Sequence, residues 1–444
     1  MTPLNDTHLQ RLLAIVLPDA LIEKLAVATK VVQRERKIDI VMLVWTLILG
    51  FDVGTERKLA SLRRKFEQHT GTSIARSSFY NRLNEELARL FKHLVDWMLS
   101  SRIENTHADI AARFEGFRQL LAVDSTVVQL HDLLADEWES TQPDGAATKL
   151  HVVANIIEGK ANSVKLTDQT TPDTGPWKRI GPWVRNSLLM LDLGYYDFHL
   201  FHRIDQQDGF FISRVKSNAN PTITGSNMSC RGRSIDLAGT QLKDVLPRLR
   251  RKVIDVNVEL DVRLRRYRGR RRTIQKQFRM VGVRNDETGD YHLYFTNIAP
   301  ETMDAATIAQ AYALRWQVEL LFTRLKTTFR LHQLPTSKPA IVRILIYASI
   351  LALLVSNVLL KSMRKLRPDR VFPARRMDAV FRDFSELILL SIASRRCDGE
   401  IDLFRLMLYE AADPNRLRER SHDILQRVPL KKSGDSQVFT EVSA

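Results

Sequence analysis

The chain has 444 residues, of which 44% are hydrophobic and 27% charged, so its composition is that of a globular protein and excludes a disordered one. Its 67 Lys and Arg residues against 51 Asp and Glu residues give a formal charge of +16, which favours an acidic polymer as partner, with nucleic acid the leading candidate. Only Cys230 and Cys397 are present, far apart in sequence, which argues against a disulfide framework or a cysteine zinc site.

The first 110 residues or so are predicted to be helical. A basic helix ends near Gly71, and a second helix begins with the segment Arg76–Arg82. Two helices joined by a glycine-containing turn resemble a helix-turn-helix, in which Arg76 and Arg82 would reach DNA. The alternative is a helical bundle with a basic exterior, and these residues alone do not separate the two.

Near residue 118 the pattern changes to that of buried strands. Five strands are predicted, at residues 119–128, 150–157, 163–167, 187–193 and 209–216. A short helix precedes the fifth strand, which ends with Arg214 and Lys216. This succession of strands and helices predicts an α/β layer.

Two carboxylates interrupt these apolar strands. Asp124 lies in the middle of the first strand and Asp192 lies in the fourth. Burying a carboxylate is costly unless it is paired or binds metal, although Asp124 alone could also be a residue capped by the backbone at a strand end. With Glu319 from a later helix, three carboxylates can hold two Mg²⁺ ions about 3.5 to 4 Å apart for in-line displacement at phosphorus.

The segment from residue 218 to 300 is predicted to leave that layer. Hydrophobic and polar residues alternate from Ile254 to Leu264, a return strand follows, and a third strand begins at Tyr291. Residues 248–279 contain 13 Lys and Arg against three acidic residues. Exposed charge alone can serve solubility, but clustering at a hairpin tip favours a phosphate backbone. The predicted DNA contacts at the tip are Arg268, Arg270, Arg271 and Arg272.

Four residues near position 315 have an unusual spacing. Tyr312, Arg315, Glu319 and Lys326 would fall within about 60° of arc on one face of a single helix. Arg and Lys neutralise phosphate oxygens, while a carboxylate binds a hard divalent cation. The alternative is a solvated face stabilised by ion pairs, which does not require Tyr312.

The longest apolar run, Ile344 to Leu360, is 17 residues long and includes Ser349, Ser356 and Asn357. This is the lower length limit for a membrane span, and we predict a buried helix of a soluble domain instead. The polar start of the chain lacks the order of a signal peptide, so the cell interior is the expected compartment. From Pro429 onward the tail is predicted to be disordered.

Three blocks carry a family resemblance. Val-Asp-Ser-Thr around Asp124, Leu-Asp-Leu-Gly-Tyr-Tyr-Asp around Asp192, and Tyr312-x2-Arg315-x3-Glu319-x6-Lys326 resemble the signatures of the bacterial insertion sequence four family of DDE transposases. The resemblance covers residues 118 to 360. It implies an α/β protein in which a ribonuclease-H-like catalytic core with a β-rich insertion is flanked by helical regions. The implied divisions are a helical DNA-binding region (1–115), the first part of the core (116–217), the insertion (218–300), the second part of the core (301–365), and a helical C-terminal region with a disordered tail (366–444).

The resemblance also implies roles for residues. Asp124, Asp192 and Glu319 would be the catalytic, metal-binding triad for two Mg²⁺ ions, which Mn²⁺ can replace. Tyr312, Arg315 and Lys326 would hold a DNA phosphate, together with Arg214 and Lys216. The implied partners are double-stranded DNA, as transposon terminal inverted repeats and as target, and a second copy of the chain on that DNA. The implied location is the cytoplasm of a bacterium, associated with the nucleoid and without a membrane.

Members of this family are known for cut-and-paste transposition through a DNA hairpin, in which an extrahelical base stacks on an aromatic residue of the insertion, often Trp. Residues 213–300 contain no Trp, and Tyr291 occupies the corresponding position. Two alternatives to a transposase are a non-catalytic DNA-binding regulator, including a domesticated derivative, and a structure-specific nuclease with the same fold.

Overall fold

A computed structural model describes residues 6–32, 38–50, 57–100, 113–177, 180–264, 272–285, 288–394 and 403–413. The N-terminal part of these residues is helical, as predicted. Its helices are α1 (Asp6–Val16), α2 (Asp19–Ala28), α3 (Ile40–Leu49), α4 (Leu59–Thr70), α5 (Arg76–Arg82) and α6 (Glu85–Ser100).

The end residues of these helices follow local rules. Asp39 caps α3 by accepting a hydrogen bond from the amide of Met42 at 3.0 Å. Gly71 ends α4 in the left-handed conformation, at φ 64°, which glycine adopts without steric cost. The predicted helix end near Gly71 is therefore confirmed. Phe66 and Phe79 pack α4 and α5 into the core, while Arg76 is exposed and Lys65 is buried.

A large sheet forms the centre of the molecule. Its first five strands are β1 (Gln119–Leu130), β2 (Ala146–Asn155), β3 (Lys160–Asp168), β4 (Ser187–Leu191) and β5 (Phe210–Arg214), with helix α7 (Phe198–Asp205) between the last two. Their spatial order is β3-β2-β1-β4-β5. β1, β2 and β3 are antiparallel neighbours, while β4 runs parallel to both β1 and β5. This order and these directions are those of a ribonuclease-H-like sheet, and they confirm the predicted fold class.

The β-rich insertion does not leave this layer, contrary to our expectation. Its longer strands are β6 (Thr222–Ser226), β9 (Val253–Arg263), β10 (Thr273–Arg284) and β11 (Tyr291–Thr296). β7 (Ser229–Cys230) and β8 (Arg233–Ser234) form a small hairpin, and α8 (Leu242–Val245) follows. β11 pairs antiparallel with β5, so a single nine-stranded sheet extends through β10 and β9 to β6. The pairing covers the edge of β5, whose backbone groups would otherwise lack partners.

The two faces of the sheet belong to separate hydrophobic cores, because side chains alternate along each strand. On β1, Leu120 and Ala122 face the core shared with the helices. Leu121 and Val123 face a second core that includes residues of α7 and the insertion.

The second part of the core is helical. It consists of α9 (Ala305–Ala313), α10 (Trp316–Thr327) and α11 (Pro339–Leu366), and is followed by α12 (Ala374–Asp383), α13 (Ser385–Ser394) and α14 (Leu403–Ala411). By length and composition alone α11 could cross a membrane, but 89% of its most apolar stretch is buried within the protein. It is a core helix, as predicted. The C-terminal tail from Pro429 lies outside the described residues.

Candidate active site

Asp124 lies on β1 where the strand passes from fully buried to partly exposed positions. Its Oδ1 accepts a hydrogen bond from the amide of Ser125 at 2.7 Å. Burial raises the pKa of Asp124 to about 6; the Ser125 amide and Arg315 oppose the shift, and the negative charges of Asp192 and Glu319 add to it. The three predicted acids are therefore close enough to influence one another.

Asp192 lies immediately after β4, which ends at Leu191, and not within the strand as we expected. The backbone turns there into a short 3₁₀ segment, Leu193–Tyr195, so the strand cannot continue. Leu191 pairs with Val123 in the parallel ladder, so the residues that directly follow them, Asp192 and Asp124, lie at the same level of the sheet.

Tyr312, Arg315 and Glu319 do not lie on one continuous helix. α9 ends at Ala313 and α10 begins at Trp316, and the amides of Leu314 and Arg315 bond to carbonyls three residues earlier. The prediction of a single continuous helix is therefore wrong, although the side chain of Arg315 does contact Tyr312 and Glu319.

Arg315 is the centre of that meeting. Its Nη1 donates to Oδ2 of Asp124 at 3.0 Å and its Nη2 donates to Oε1 of Glu319 at 2.6 Å. The guanidinium carbon lies 5.6 Å from the centre of the Tyr312 ring. The hydroxyl of Tyr312 in turn donates to Oδ1 of Asp192 at 3.3 Å. All three acids are thus linked through Arg315 and Tyr312.

The electrostatics of the two linking residues follow from these contacts. Burial lowers the pKa of Arg315, but Tyr312, Glu319 and the two aspartates outweigh burial, and the net shift is upward. Burial has the opposite effect on the Tyr312 hydroxyl, whose pKa it raises. Both groups are therefore fully protonated donors at neutral pH.

The donor set suits a hard divalent cation, because three carboxylates supply oxygen ligands and lie within each other's field. As their side chains stand, however, the described part of the chain contains no group of three acidic, His or Cys residues placed to hold a metal ion. The reason is visible in the contacts of Arg315, towards which Asp124 and Glu319 are turned. The three carboxylates are suitable ligands for a divalent cation. In their present rotamers, Asp124 and Glu319 instead bind the guanidinium of Arg315.

Three other residues were predicted to bind phosphate, and of these Arg214 lies near the site. Arg214 ends β5, is exposed, and lies near enough to influence the pKa of Tyr312. The Nζ of Lys216 lies 5.2 Å from the centre of the Tyr196 ring. Lys326 lies on α10 about two turns beyond Glu319, and burial lowers its pKa.

The remaining predicted DNA contacts lie elsewhere. Arg76 is exposed on α5, whereas Arg82 is turned towards the backbone carbonyl of Val31. Arg272 is exposed beside β10, and Tyr291 is partly buried, with its hydroxyl donating to the carbonyl of Arg251. Arg268, Arg270 and Arg271 lie outside the described residues.

Sequence reasoning missed one acidic residue beside the site. The Oδ1 of Asp173 accepts a hydrogen bond from Ser125 at 2.8 Å and pairs with Lys149 at 3.1 Å. A Cβ at Gly194 would lie 2.3 Å from Oδ2 of Asp173, so any larger residue there would displace this carboxylate. Asp173 thus binds the hydroxyl of Ser125, next to Asp124, and lies against Gly194, two residues after Asp192. The glycine in Leu-Asp-Leu-Gly was the only available signal, since Asp173 follows no strand or helix pattern.

A ribonuclease-H-like sheet that brings three carboxylates and an arginine together defines a class of enzymes that transfer phosphoryl groups in nucleic acids. Residues 115–355, more than half of the chain, match the family described as Transposase DDE domain. The chain belongs to this family, and it is a DNA-cleaving and strand-transferring enzyme of the DDE transposase type. The predicted family is confirmed.

Several known transposases resemble this chain. The transposase for insertion sequence element IS231B of Bacillus thuringiensis subsp. berliner is 21% identical over 381 residues, covering 79% of each chain. The transposase for IS1151 of Clostridium perfringens is 20% identical over 377 residues, covering 78% of this chain and 79% of the relative. Among solved structures, the cryo-EM structure of the piggyBac transposase synaptic complex with hairpin DNA has a TM-score of 0.46 and 10% identity, covering 98% of this chain and 87% of that one.

Proposed function

We propose that this transposase cleaves DNA at the terminal inverted repeats of its own element and joins the freed ends to target DNA, with Mg²⁺ held by Asp124, Asp192 and Glu319. The observation that carries the proposal is the meeting of these three acids, from β1, the end of β4 and α10, around Arg315 and Tyr312. Mn²⁺ has the same preference for oxygen ligands and is expected to replace Mg²⁺.

Each part of the site has a separate task in this proposal. Bound divalent ions supply Lewis acidity at the scissile phosphate, which activates the attacking oxygen and stabilises the leaving one. Arg315, Tyr312 and Lys326 hold the phosphate in line. Arg214 and Lys216 extend the same positive surface from the end of β5.

Replacing the acids tests the assignment. Asp124→Ala, Asp192→Ala and Glu319→Ala should each reduce cleavage of a terminal-repeat duplex in Mg²⁺ by at least about a thousandfold, because each removes a ligand from the chemical step. Binding of the same duplex, measured by gel shift, should remain within a few-fold of the wild type.

The matched control is Asp244→Ala, which removes an exposed carboxylate from α8 and should leave cleavage unchanged. Retained cleavage in any of the three variants would remove that residue from the triad. A wild-type protein that binds the ends yet cleaves nothing in Mg²⁺ or Mn²⁺ would contradict the catalytic proposal. A strand-transfer assay separates the transposase from a nuclease, because a nuclease does not join its products to a target.

We further propose that cleavage proceeds through a hairpin on the transposon end, with Tyr291 stacking on an unpaired base, and that two copies of the chain act on the two ends. Tyr291 opens β11 at a partly exposed position of the insertion, where its ring can receive a base. Light scattering of the protein with and without terminal-repeat DNA measures the copy number.

A further inference from the structure

Arg315 occupies the position between the carboxylates that a cation would need. We propose that Arg315 couples DNA binding to metal binding: without DNA its guanidinium holds Asp124 and Glu319, and a DNA phosphate draws it away so that both carboxylates are free to bind metal. The inference rests on the proposed function and adds a sequence of binding events, in which DNA binds first and the metal ion binds second.

The first observation is the bridging geometry. The guanidinium contacts Oδ2 of Asp124 at 3.0 Å and Oε1 of Glu319 at 2.6 Å, and only 12% of the Arg315 side chain is exposed. Charge-assisted hydrogen bonds of this length are strong when water is largely excluded. A divalent ion on the same two oxygens would be repelled by the guanidinium at close range. Arginine and metal therefore compete for the same ligands.

The second observation is that Arg315 has donor capacity left for another anion. Its Nε is buried and makes no hydrogen bond within the described structure. The planar guanidinium fork matches a phosphate as well as it matches a carboxylate. A phosphate brought in by Arg214, Lys216 and Lys326 would offer Arg315 a replacement for the contacts it gives up.

The position of Arg315 in the chain makes such an exchange local. The residue lies at the junction of α9 and α10, with helical backbone angles of φ −54° and ψ −31°. Its side chain can turn by changing rotamers while both helices stay in place. The next residue, Trp316, is 56% exposed, so the junction lies at the protein surface.

The thermodynamic consequence is reciprocal. If terminal-repeat DNA raises the metal affinity by some factor, metal must raise the DNA affinity by the same factor. A protein with this coupling binds metal weakly when no DNA is present. Its chemistry is then confined to the bound transposon end.

The experiment measures Mn²⁺ binding by the electron paramagnetic resonance signal of the free ion. Full-length protein is titrated alone and with a duplex of its own terminal repeat that ends at the cleavage site, so that no bond is cut. Wild-type protein should bind Mn²⁺ at least about tenfold more tightly with the duplex than without it. Arg315→Gln should bind Mn²⁺ about tenfold more tightly than the wild type without DNA, and gain less than about twofold from the duplex.

Two matched variants separate charge from position. Arg315→Lys keeps a positive charge at the site and should bind Mn²⁺ as weakly as the wild type without DNA. Lys149→Gln removes a cation that pairs with Asp173 beside the site and does not bridge the acids, and it should also keep the weak Mn²⁺ binding of the DNA-free protein. Thermal unfolding followed by circular dichroism shows whether each variant is folded.

The outcomes distinguish this inference from the function on which it rests. If folded Arg315→Gln binds Mn²⁺ no more tightly than the wild type without DNA, the coupling is overturned while the metal site stands. If Lys149→Gln tightens Mn²⁺ binding as much as Arg315→Gln, general electrostatics replaces the specific bridge and the proposal is again overturned. If no form of the protein binds Mn²⁺ with or without DNA, the proposed function itself fails.

Discussion

The carboxyl group of Asp124 holds its proton more tightly than a free aspartate does, because it is largely buried and has two other acids nearby. In the metal-free protein its pKa is raised from 3.8 to about 6. Between these values the folded state binds more protons than the unfolded state. The contribution of Asp124 to the free energy of unfolding therefore falls as the pH rises from about 4 to 6.

Asp124→Asn removes this titration and gives the first residue-scale prediction. In EDTA, the variant should gain stability relative to the wild type between pH 4 and pH 7, by about 2 to 3 kcal/mol for a shift of two pKa units. Urea unfolding at both pH values measures the difference. A pH-independent difference for Asp124→Asn would contradict the assigned shift.

Tyr291 gives the second residue-scale prediction. Tyr291→Ala should reduce hairpin formation by about tenfold and the first nick by less than about threefold, because a base-stacking contact worth 1 to 3 kcal/mol is needed only after the base leaves the duplex. Denaturing gels resolve the two products. Tyr291→Phe keeps the ring and loses the bond to the carbonyl of Arg251, so it serves as the control. Equal loss of both steps in Tyr291→Ala would count against stacking.

The sequence was sufficient to predict some residues of the site and not others. Asp124 and Asp192 are visible because a carboxylate is out of place in an apolar strand, and Arg315 and Glu319 because their spacing is regular. Asp173 and its partner Lys149 were not visible, because a turn has no periodicity from which a contact can be inferred. The bridging role of Arg315 depends on distances between segments that are far apart in the sequence.

At the scale of elements, the junction of α9 and α10 was the main surprise. Leu314 and Arg315 are good helix formers, and no glycine or proline marks the break. Both residues keep helical backbone angles and only the hydrogen-bond register tightens to three residues. Tertiary packing imposes a change of this kind, so local propensity gives no warning of it.

α10 is held in place by a buried ion pair, which yields an element-scale prediction. Arg324 donates to both carboxylate oxygens of Asp378 on α12, at 2.5 and 2.7 Å, and to Asn357 on α11 at 2.7 Å. Asp378 is fully buried. Arg324→Ala leaves that carboxylate without its charge partner and should lower the free energy of unfolding by about 3 to 5 kcal/mol.

Urea unfolding of Arg324→Ala measures this loss. The control is Arg89→Ala, which breaks an exposed pair with Glu86 and should cost less than about 1 kcal/mol. Because α10 also carries Glu319, Arg324→Ala should cleave DNA more slowly than Arg89→Ala at a temperature where both variants are folded. Similar small losses of stability in the two variants would contradict the structural role of the Arg324–Asp378 pair.

At the scale of the whole molecule, the sequence predicted three strands of the insertion, which correspond to β9, β10 and β11, but neither β6 nor the pairing of β11 with β5. Alternation along a strand shows which residues are buried, and it carries no information about which distant strand is the neighbour. The pairing of Phe295 with Ser213 joins segments separated by the rest of the insertion. The extension of the core sheet could therefore be seen only in three dimensions.

Asn297, directly after β11, ties the insertion to the core. Its Oδ1 accepts a hydrogen bond from the amide of Phe211 at 3.0 Å, and its Nδ2 donates to the carbonyl of Gly209 at 2.8 Å and to Asp205 at 3.1 Å. Asn297→Ala should lower the free energy of unfolding by about 1 to 3 kcal/mol, because backbone groups lose their partners.

Because the insertion and the core share one sheet, we expect β1–β5 and β9–β11 of Asn297→Ala to unfold together in one transition. Hydrogen exchange of the backbone amides in both segments measures this. Asn81→Ala, at an exposed position of α5, is the control and should change stability by less than about 0.5 kcal/mol. Separate unfolding of β9–β11 ahead of β1–β5 would contradict a single cooperative sheet.

The strand order also has a consequence for biosynthesis. Glu319 leaves the ribosome about 10 to 40 s after Asp124, at a typical rate of about 5 to 20 residues per second. The edge of β5 stays uncovered until β11 has been synthesised and has paired with it. Every nascent chain that stops before residue 319 therefore holds at most two of the three acids and, if it ends before β11, an open sheet edge. Premature termination of translation yields an aggregation-prone fragment and not an unregulated nuclease, so the risk of free cutting activity begins only when the chain is nearly complete.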